Sequence, residues 1–198
     1  TKLGFKVLTR IVFSFKLVSL FVDGGGMNAR AFWRHSLAVA VFTQAISRRV
    51  KASWEEQEIA YLAGLMHDVG IMVFAHLIPA EYAAFLRNAH EVELPIEAQE
   101  LKTFGIDHPE LGALFIERWW NIEEHIIKEV RNHHMPFQCV DKERHCTQLV
   151  GISNALCNHK GITNGVHCKR PPFDDMVWNE LGFSSIEAED LIADLKTA

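Results

Sequence analysis

Histidines and one aspartate are the residues of this sequence with the clearest capacity for chemistry. The chain has 198 residues and 11 histidines; His67 and Asp68 end the apolar run of "AGLMHDVG", and "RNHHMP" carries two adjacent histidines. The candidate metal ligands are His35, His67, Asp68, His108, His133 and His134. Imidazole nitrogens and carboxylate oxygens are common ligands of divalent ions. The pattern therefore favours a site for one or two ions, such as iron, manganese, nickel, zinc or magnesium.

Asp68 has two interpretations at this stage. As a metal ligand it would bridge two ions, which can activate a water molecule and hold a phosphate ester for in-line attack, so Asp68 is the candidate catalytic residue. As a structural residue it would accept a hydrogen bond from a backbone N–H and cap the next helix. Likewise, the helix dipole stabilises a histidine at a helix C-terminus without any ligand role. Spacing alone leaves both interpretations open.

Helices must position these side chains, because apolar residues recur at intervals of three and four and alternating runs are few. The predicted helices are 3–21, 29–50, 55–66, 70–76, 80–90, 95–103, 109–119, 122–134, 142–159, 174–181 and 185–197. Pro79, Pro95 and Pro109 suit the first turn of a helix, where the missing N–H is not needed. Residues 160–173 form the longest predicted loop. The prediction is one all-α domain built as a multi-helix bundle.

The composition is that of an ordinary globular protein, with 48% hydrophobic and 23% charged residues and a net charge of −5. A basic surface for nucleic acid is therefore not expected. The four cysteines form no C-x-x-C pair, so we expect a reducing, cytoplasmic compartment. Trp33, Trp119 and Trp120 have apolar neighbours, which favours core packing over a ligand platform.

Residues 3–22, "LGFKVLTRIVFSFKLVSLFV", resemble a membrane or targeting segment in their apolar content. Lys6, Arg10 and Lys16 interrupt the segment, and its apolar runs are shorter than the roughly 18 residues of a membrane span. We therefore expect a buried amphipathic helix and no membrane association. Because the chain begins at Thr1, we also expect a fragment that lacks partner elements for this helix.

Four motifs carry a resemblance to a known family. The stretches "FWRHSLAVA", "AYLAGLMHDVGIMVF", "DHPELGALFIERWW" and "EVRNHHMP" resemble the HD superfamily of metal-dependent phosphohydrolases. Within it they most resemble the HDOD branch, the HD-related output domain of bacterial signalling proteins. The resemblance covers residues 3–195 and implies an HD-type helical bundle, with 1–198 as one domain. Because "LGFKVL" resembles a helix from the middle of that domain, an N-terminal helical part is expected to precede it.

The resemblance also implies a ligand set. His35, His67 and Asp68 match the first three metal ligands of the superfamily, with Asp68 bridging, and the later histidines match those that the HD-GYP phosphodiesterases add. Three positions depart from the pattern. Asn154 stands where the superfamily has a final Asp, Ile71 stands where HD-GYP enzymes have a Lys, and "MPFQCVDKER" replaces the Gly-Tyr-Pro stretch.

These departures lead to two hypotheses about function. Asn154, which by this match is a further candidate metal ligand, offers a neutral carbonyl oxygen in place of a carboxylate, and Ile71 removes a cation that would neutralise a scissile phosphate. We therefore expect a signalling output module with a partner protein or a fused input domain, retaining a metal site at least in part. The alternative is an active phosphohydrolase on a nucleotide or cyclic dinucleotide. It is favoured by the six histidine and aspartate side chains, which have no other reason to share an apolar pocket.

Overall fold

The computed structural model describes residues 26–89, 91–92, 94–120, 122–134 and 144–166, and the fold is all-α. The helices are α1 (Ala29–Arg49), α2 (Trp54–Met66), α3 (Val69–Leu77), α4 (Pro79–Ala89), α5 (Ile96–Phe104), α6 (His108–Trp120), α7 (Glu124–Asn132) and α8 (Arg144–His159). Within these ranges no strand occurs. The prediction of an all-α bundle is confirmed. The predicted helices 3–21, 174–181 and 185–197 lie outside the described residues.

Local signals set where the helices begin and end. Asn28 caps α1 by accepting a hydrogen bond from the Ala31 N–H at 3.0 Å. Ser53 and Glu56 form a capping box at α2, in which each side chain accepts a hydrogen bond from the other's backbone N–H. Gly105 ends α5 with a φ of 77°, a left-handed conformation that glycine adopts without a side-chain clash. The observed bounds therefore lie within a few residues of the predicted ones.

The core brings together the ends of helices that are distant in sequence. Helix α1 packs on α2 and α8, α2 also packs on α7, and α3 packs on α6. Large side chains fill the space between them, and among the most completely buried are Phe32, Ile46, Met66, Ile71 and Ile116. Helix α2 contacts α1, α7 and α8, and α3 contacts α4 and α6, so the junction between α2 and α3 lies among these helices. That junction carries His67 and Asp68.

Two glycines allow α3 and α6 to approach closely beside this junction. A Cβ atom added at Gly70 would lie 1.9 Å from the backbone carbonyl oxygen of His108 and 2.8 Å from the Gly112 nitrogen. A Cβ atom at Gly112 would in turn lie 2.9 Å from the Gly70 nitrogen. Atoms that are not bonded cannot approach this closely. Because glycine has no Cβ atom, Gly70 and Gly112 allow the short distance between the two helices. This distance in turn determines how far His108 lies from Asp68.

One apolar stretch of the described chain, Trp54–Leu77, is long enough to span a membrane by length and composition. However, 78% of the 18-residue apolar window within it is buried inside the protein, as is typical of a core helix of a soluble protein. The tryptophan prediction is wrong in one case. Trp119 is 67% exposed, because it lies on a face of α6 that is turned away from the core, whereas Trp33 and Trp120 pack against the core.

Candidate metal centre

The six candidate ligands come from four places in the bundle. His35 lies in the second turn of α1, and His67 and Asp68 form the α2–α3 junction. His108 is the first residue of α6, and His133 and His134 follow α7 directly. Asp68 occupies the N-cap position of α3, yet its side chain makes no capping hydrogen bond. The structural interpretation of Asp68 as a helix cap is therefore wrong, since its carboxylate faces the histidines instead.

Asp68 belongs to two groups of possible ligands. One group is His35, His67 and Asp68, and the other is Asp68, His108, His133 and His134. Within each group the ligand atoms all lie within 4.8 Å of one another. We call these the first half and the second half of the centre. The structure thus brings together all six of the histidine and aspartate side chains that the sequence singled out.

The two carboxylate oxygens of Asp68 divide between the halves. Oδ2 lies 3.0 Å from His67 Nε2 and 3.6 Å from His35 Nε2. Oδ1 lies 3.4 Å from His133 Nε2 and 3.5 Å from His108 Nε2. His134 completes the second half, with its Nε2 3.0 Å from His108 Nε2. A carboxylate placed in this way can serve two ions, one at each oxygen.

Hydrogen bonds on the far side of each ring fix which nitrogen faces Asp68. The Nδ1–H groups of His35, His67 and His133 donate to the carbonyl oxygens of Ile162 at 2.6 Å, Gly64 at 2.8 Å and Val130 at 2.7 Å. A carbonyl oxygen only accepts, so each Nδ1 must carry the proton. A neutral ring then has its lone pair on Nε2. This is the arrangement found for histidines that bind metals in proteins.

The buried polar atoms of the centre fit a cation. His67 Nε2, His133 Nε2 and Asp68 Oδ1 are buried and make no hydrogen bond. Neutral imidazole lone pairs and a carboxylate repel one another when they converge away from water, unless a positive charge lies among them. Either a metal ion or a proton supplies that charge. Three histidine nitrogens and a carboxylate oxygen are a donor set suited to a borderline transition-metal ion.

Two residues that the sequence analysis did not single out also belong to the centre. Glu100 is fully buried. Glu100 Oε2 accepts hydrogen bonds from the backbone N–H of His108 at 2.8 Å and from the Nδ1–H of His108 at 2.6 Å. Glu100 Oε1 accepts a hydrogen bond from the Tyr82 hydroxyl at 2.7 Å. Asn164, in the loop after α8, donates from Nδ2 to Asp68 Oδ2 at 2.8 Å. Neither has a distinctive sequence signal.

Asn154 and Ile71 lie in different surroundings. Asn154 is buried in α8, and its side-chain oxygen accepts a hydrogen bond from Asn158 at 2.7 Å. The asparagine that contacts Asp68 is Asn164 instead. Ile71 is 1% exposed and belongs to the hydrophobic core. The part of Asn154 in metal binding stays a prediction.

Comparison with known proteins decides the family. The model of the HDOD domain family matches residues 1–136, which is more than half of the chain. The chain belongs to the HDOD domain family. An uncharacterized protein of Treponema pallidum (strain Nichols) is 26% identical over 107 residues, which cover 53% of this chain and 20% of that protein.

Two solved structures share the fold of this chain. An HDOD domain protein of unknown function from Geobacter sulfurreducens has a TM-score of 0.74 at 22% identity, covering 91% of this chain and 62% of the other. The MmoQ response regulator of Methylococcus capsulatus str. Bath has a TM-score of 0.64 at 23% identity, covering 85% and 62%. The chain therefore spans less than two thirds of each of these three relatives. At such identities the likeness shows the fold alone.

The electrostatics of the HDOD centre follow from burial and from two carboxylates. Burial raises the pKa of Asp68, but the surrounding histidines, His67 first, hold it well below its ordinary value. Burial lowers the pKa of His108, but Glu100 and Asp68 together raise it to about 10. Burial lowers the pKa of His133 to about 4. Without a metal, a proton on His108 is thus the positive charge between the two carboxylates.

These shifts predict that the metal-free HDOD domain is most stable near pH 6.5, the ordinary pKa of histidine. His133 keeps its neutral form when folded, so stability falls as the pH drops from 6.5 toward 4 and the unfolded chain takes up the proton first. Asp68, with its lowered pKa, adds to the loss at still lower pH. The raised pKa of His108 contributes stability that is fully present below pH 6.5 and is lost as the pH rises toward 10.

Thermal unfolding of EDTA-treated protein as a function of pH measures this dependence. In His133→Asn the amide still donates to the Val130 carbonyl. The decrease in melting temperature at acidic pH should therefore be smaller, whereas the decrease at alkaline pH should remain. A melting temperature that changes in one direction only across this range would contradict the prediction.

Proposed function

We propose that this HDOD domain is a regulatory output module whose buried centre binds a divalent metal ion and carries out no efficient phosphoester hydrolysis. The observation that supports this most directly is the burial of the ligands. The side chains of His35, His67, Asp68, His108 and His133 have no exposed surface, and that of His134 is 13% exposed. A phosphate ester must contact the ion to be hydrolysed, and the described residues leave it little room to do so.

The residue next to the centre is also unsuited to hydrolysis. Ile71 lies three residues after Asp68, in the position where HD-GYP phosphodiesterases have a Lys, and its side chain is buried in the core. An apolar side chain cannot balance the negative charge that builds up on a phosphate in the transition state. Binding of an ion does not require that cation, whereas fast turnover does.

A metal ion would join separate parts of the bundle. The ligands lie on α1, at the α2–α3 junction, at the start of α6 and after α7. An ion that binds only when all of them converge stabilises that arrangement over any other. Filling or emptying of the centre would therefore shift the relative positions of four helices. This gives the domain a means to pass a signal to a partner protein or a fused input domain.

A metal-dependent phosphohydrolase acting on a nucleotide or cyclic dinucleotide is the second candidate. The observation that favours it is that Asp68 belongs to both ligand groups, because two ions held by one carboxylate can activate a bridging water. Asp68 would then hold both ions. The histidines would orient them.

Metal analysis and a phosphoesterase panel on one anaerobically purified preparation test the proposal. We expect bound metal in the wild type, much less in Asp68→Ala, and no turnover of mononucleotides or cyclic dinucleotides by the wild type above that of Asp68→Ala. Equal and negligible metal in the wild type and Asp68→Ala would show that the metal proposal is wrong. Turnover that disappears in Asp68→Ala would favour the phosphohydrolase instead.

A further inference from the structure

The two halves of the centre differ in what already contacts Asp68. In the second half, Oδ1 is buried and makes no hydrogen bond, so both of its lone pairs are available. In the first half, Oδ2 accepts a hydrogen bond from Asn164 Nδ2 at 2.8 Å. An amide N–H carries a partial positive charge and cannot act as a ligand. The Asn164 N–H thus occupies one of the two lone pairs of Oδ2 and draws electron density from it, which makes Oδ2 a weaker ligand than Oδ1.

The orientation of Asn164 is fixed by a second hydrogen bond. Its Oδ1 accepts from the Val166 backbone N–H at 3.0 Å, and the contact is buried. Flipping the amide would turn an oxygen toward Asp68, but it would leave the Val166 N–H without its acceptor, and a buried unsatisfied donor costs about 1–3 kcal/mol. The loop also holds His35, whose Nδ1–H donates to Ile162 O at 2.6 Å. Residues 162–166 therefore close the first half.

The second half has an additional carboxylate behind one of its histidines. His35, His67 and His133 donate from Nδ1 to neutral carbonyls, whereas His108 donates to Glu100. A carboxylate in this position makes the ring a better metal ligand and fixes its orientation. Tyr82 holds the other oxygen of Glu100 at 2.7 Å, and both side chains are fully buried. This chain of hydrogen bonds runs from α4 through α5 to the start of α6.

Charge balance favours one ion over two. Asp68 and Glu100 are the fully buried carboxylates in contact with the cluster among the described residues, and together they carry two negative charges. One divalent ion neutralises them. Two ions would leave an excess of two positive charges in a buried site, where uncompensated charge is strongly unfavourable. Glu97, 3.9 Å from His134, is 26% exposed and largely hydrated.

We propose that this HDOD centre holds one divalent ion tightly, in the second half, with Glu100 and Tyr82 as positioning residues and Asn164 blocking the first half. The proposal rests on the proposed metal binding and goes beyond it by assigning the ion to one set of ligands. It also predicts that Asn164→Asp opens the first half. The new carboxylate replaces the amide N–H, still accepts from the Val166 N–H, and reduces the excess positive charge of two ions from two to one.

Metal stoichiometry after loading with Co²⁺ and gel filtration tests this assignment, using His35→Ala and His133→Ala as a matched pair. Both rings are buried and both donate from Nδ1 to a carbonyl, so the two substitutions disturb the fold similarly. We expect one ion per chain in the wild type and in His35→Ala, none retained in His133→Ala, and two in Asn164→Asp. Circular dichroism of each metal-free variant checks that it is folded.

Glu100→Gln tests the positioning role, because glutamine has nearly the same shape and still accepts from His108 Nδ1. We expect affinity for Co²⁺ to fall about 10- to 100-fold, with a shifted visible absorption band of the bound ion. His35→Ala should leave that band unchanged. Two equally tight ions in the wild type, or an ion lost in His35→Ala and kept in His133→Ala, would overturn the assignment and leave the proposed metal binding intact. A wild type that binds no ion would overturn both.

Discussion

Asp68→Asn is expected to abolish metal binding in both halves of the centre. Each carboxylate oxygen of Asp68 faces one group of histidines, and an amide offers only one oxygen and no negative charge. In the wild type, an ion at a free concentration of about 100 times its dissociation constant adds about 2.7 kcal/mol to the free energy of unfolding. For a chain of this size this raises the melting temperature by about 5–10 °C. The variant should show no such increase.

Asp107→Asn is the matched control for this measurement. Asp107 lies one residue before His108, and its Oδ1 accepts from the Glu110 N–H at 2.9 Å. Asparagine caps a helix about as well as aspartate, so this variant should keep the full metal-dependent increase. An increase of wild-type size in Asp68→Asn would show that the ion does not bind at Asp68.

Gly70→Ala is expected to be the most destabilising glycine-to-alanine substitution among the glycines whose surroundings the structure describes. The new Cβ would meet three backbone atoms of α6 at distances of 1.9, 2.7 and 2.8 Å. Backbone atoms cannot move aside as a flexible side chain can, so α3 and α6 must separate. Overpacking of this kind costs about 3 kcal/mol or more. Because His108 begins α6, the same shift moves it away from Asp68, so retained metal should fall together with stability.

Gly105→Ala separates the effect of close packing from that of backbone strain. Gly105 has a φ of 77°, and a Cβ there would meet nothing within 4 Å. We expect a loss of about 1 kcal/mol with metal binding unchanged. Equilibrium unfolding in urea measures both variants. A loss for Gly70→Ala no greater than that for Gly105→Ala would contradict the close packing of α3 on α6.

Much of the fold was predictable from the sequence, because hydrophobic periodicity and end signals act locally. The α2–α3 break is an example. The run from Ile59 to Leu77 is largely apolar, but the polar pair His67-Asp68 within it indicated that one helix ends and another begins there. Trp119 shows the limit of this approach. Its neighbours in sequence are apolar, yet which face of α6 is buried depends on α3 and α7, which sequence periodicity alone does not locate.

The candidate site was predictable only where residue type itself indicates chemistry. Histidines and Asp68 are conspicuous in apolar surroundings. Glu100, in contrast, lies in a helix with other charged residues and looks like a solvated side chain. Its burial arises because Tyr82, 18 residues earlier, and His108, 8 residues later, converge on it. Asn164 precedes a glycine in a predicted loop, where asparagine usually forms a turn.

The Gly70–Gly112 contact was beyond single-sequence reasoning for a related physical reason. A glycine inside a helix lowers the stability of that helix wherever it occurs. The sequence alone therefore indicates only that the helix is less stable at that position. The contribution of the glycine to packing is evident only where the backbone of another helix lies so close that a Cβ atom would clash with it. At Gly70 that backbone belongs to His108, 38 residues later in the chain.

The burial of the centre also sets how fast it can respond. Of the six histidine and aspartate side chains, only that of His134 keeps exposed surface, so an ion exchanging with solvent passes His134 or waits for the protein to open locally. Local opening takes from microseconds to seconds and longer in tightly packed regions. Exchange limited in this way averages over brief fluctuations in metal supply. The metal occupancy of the centre thus follows sustained changes in the supply of metal and responds little to brief ones.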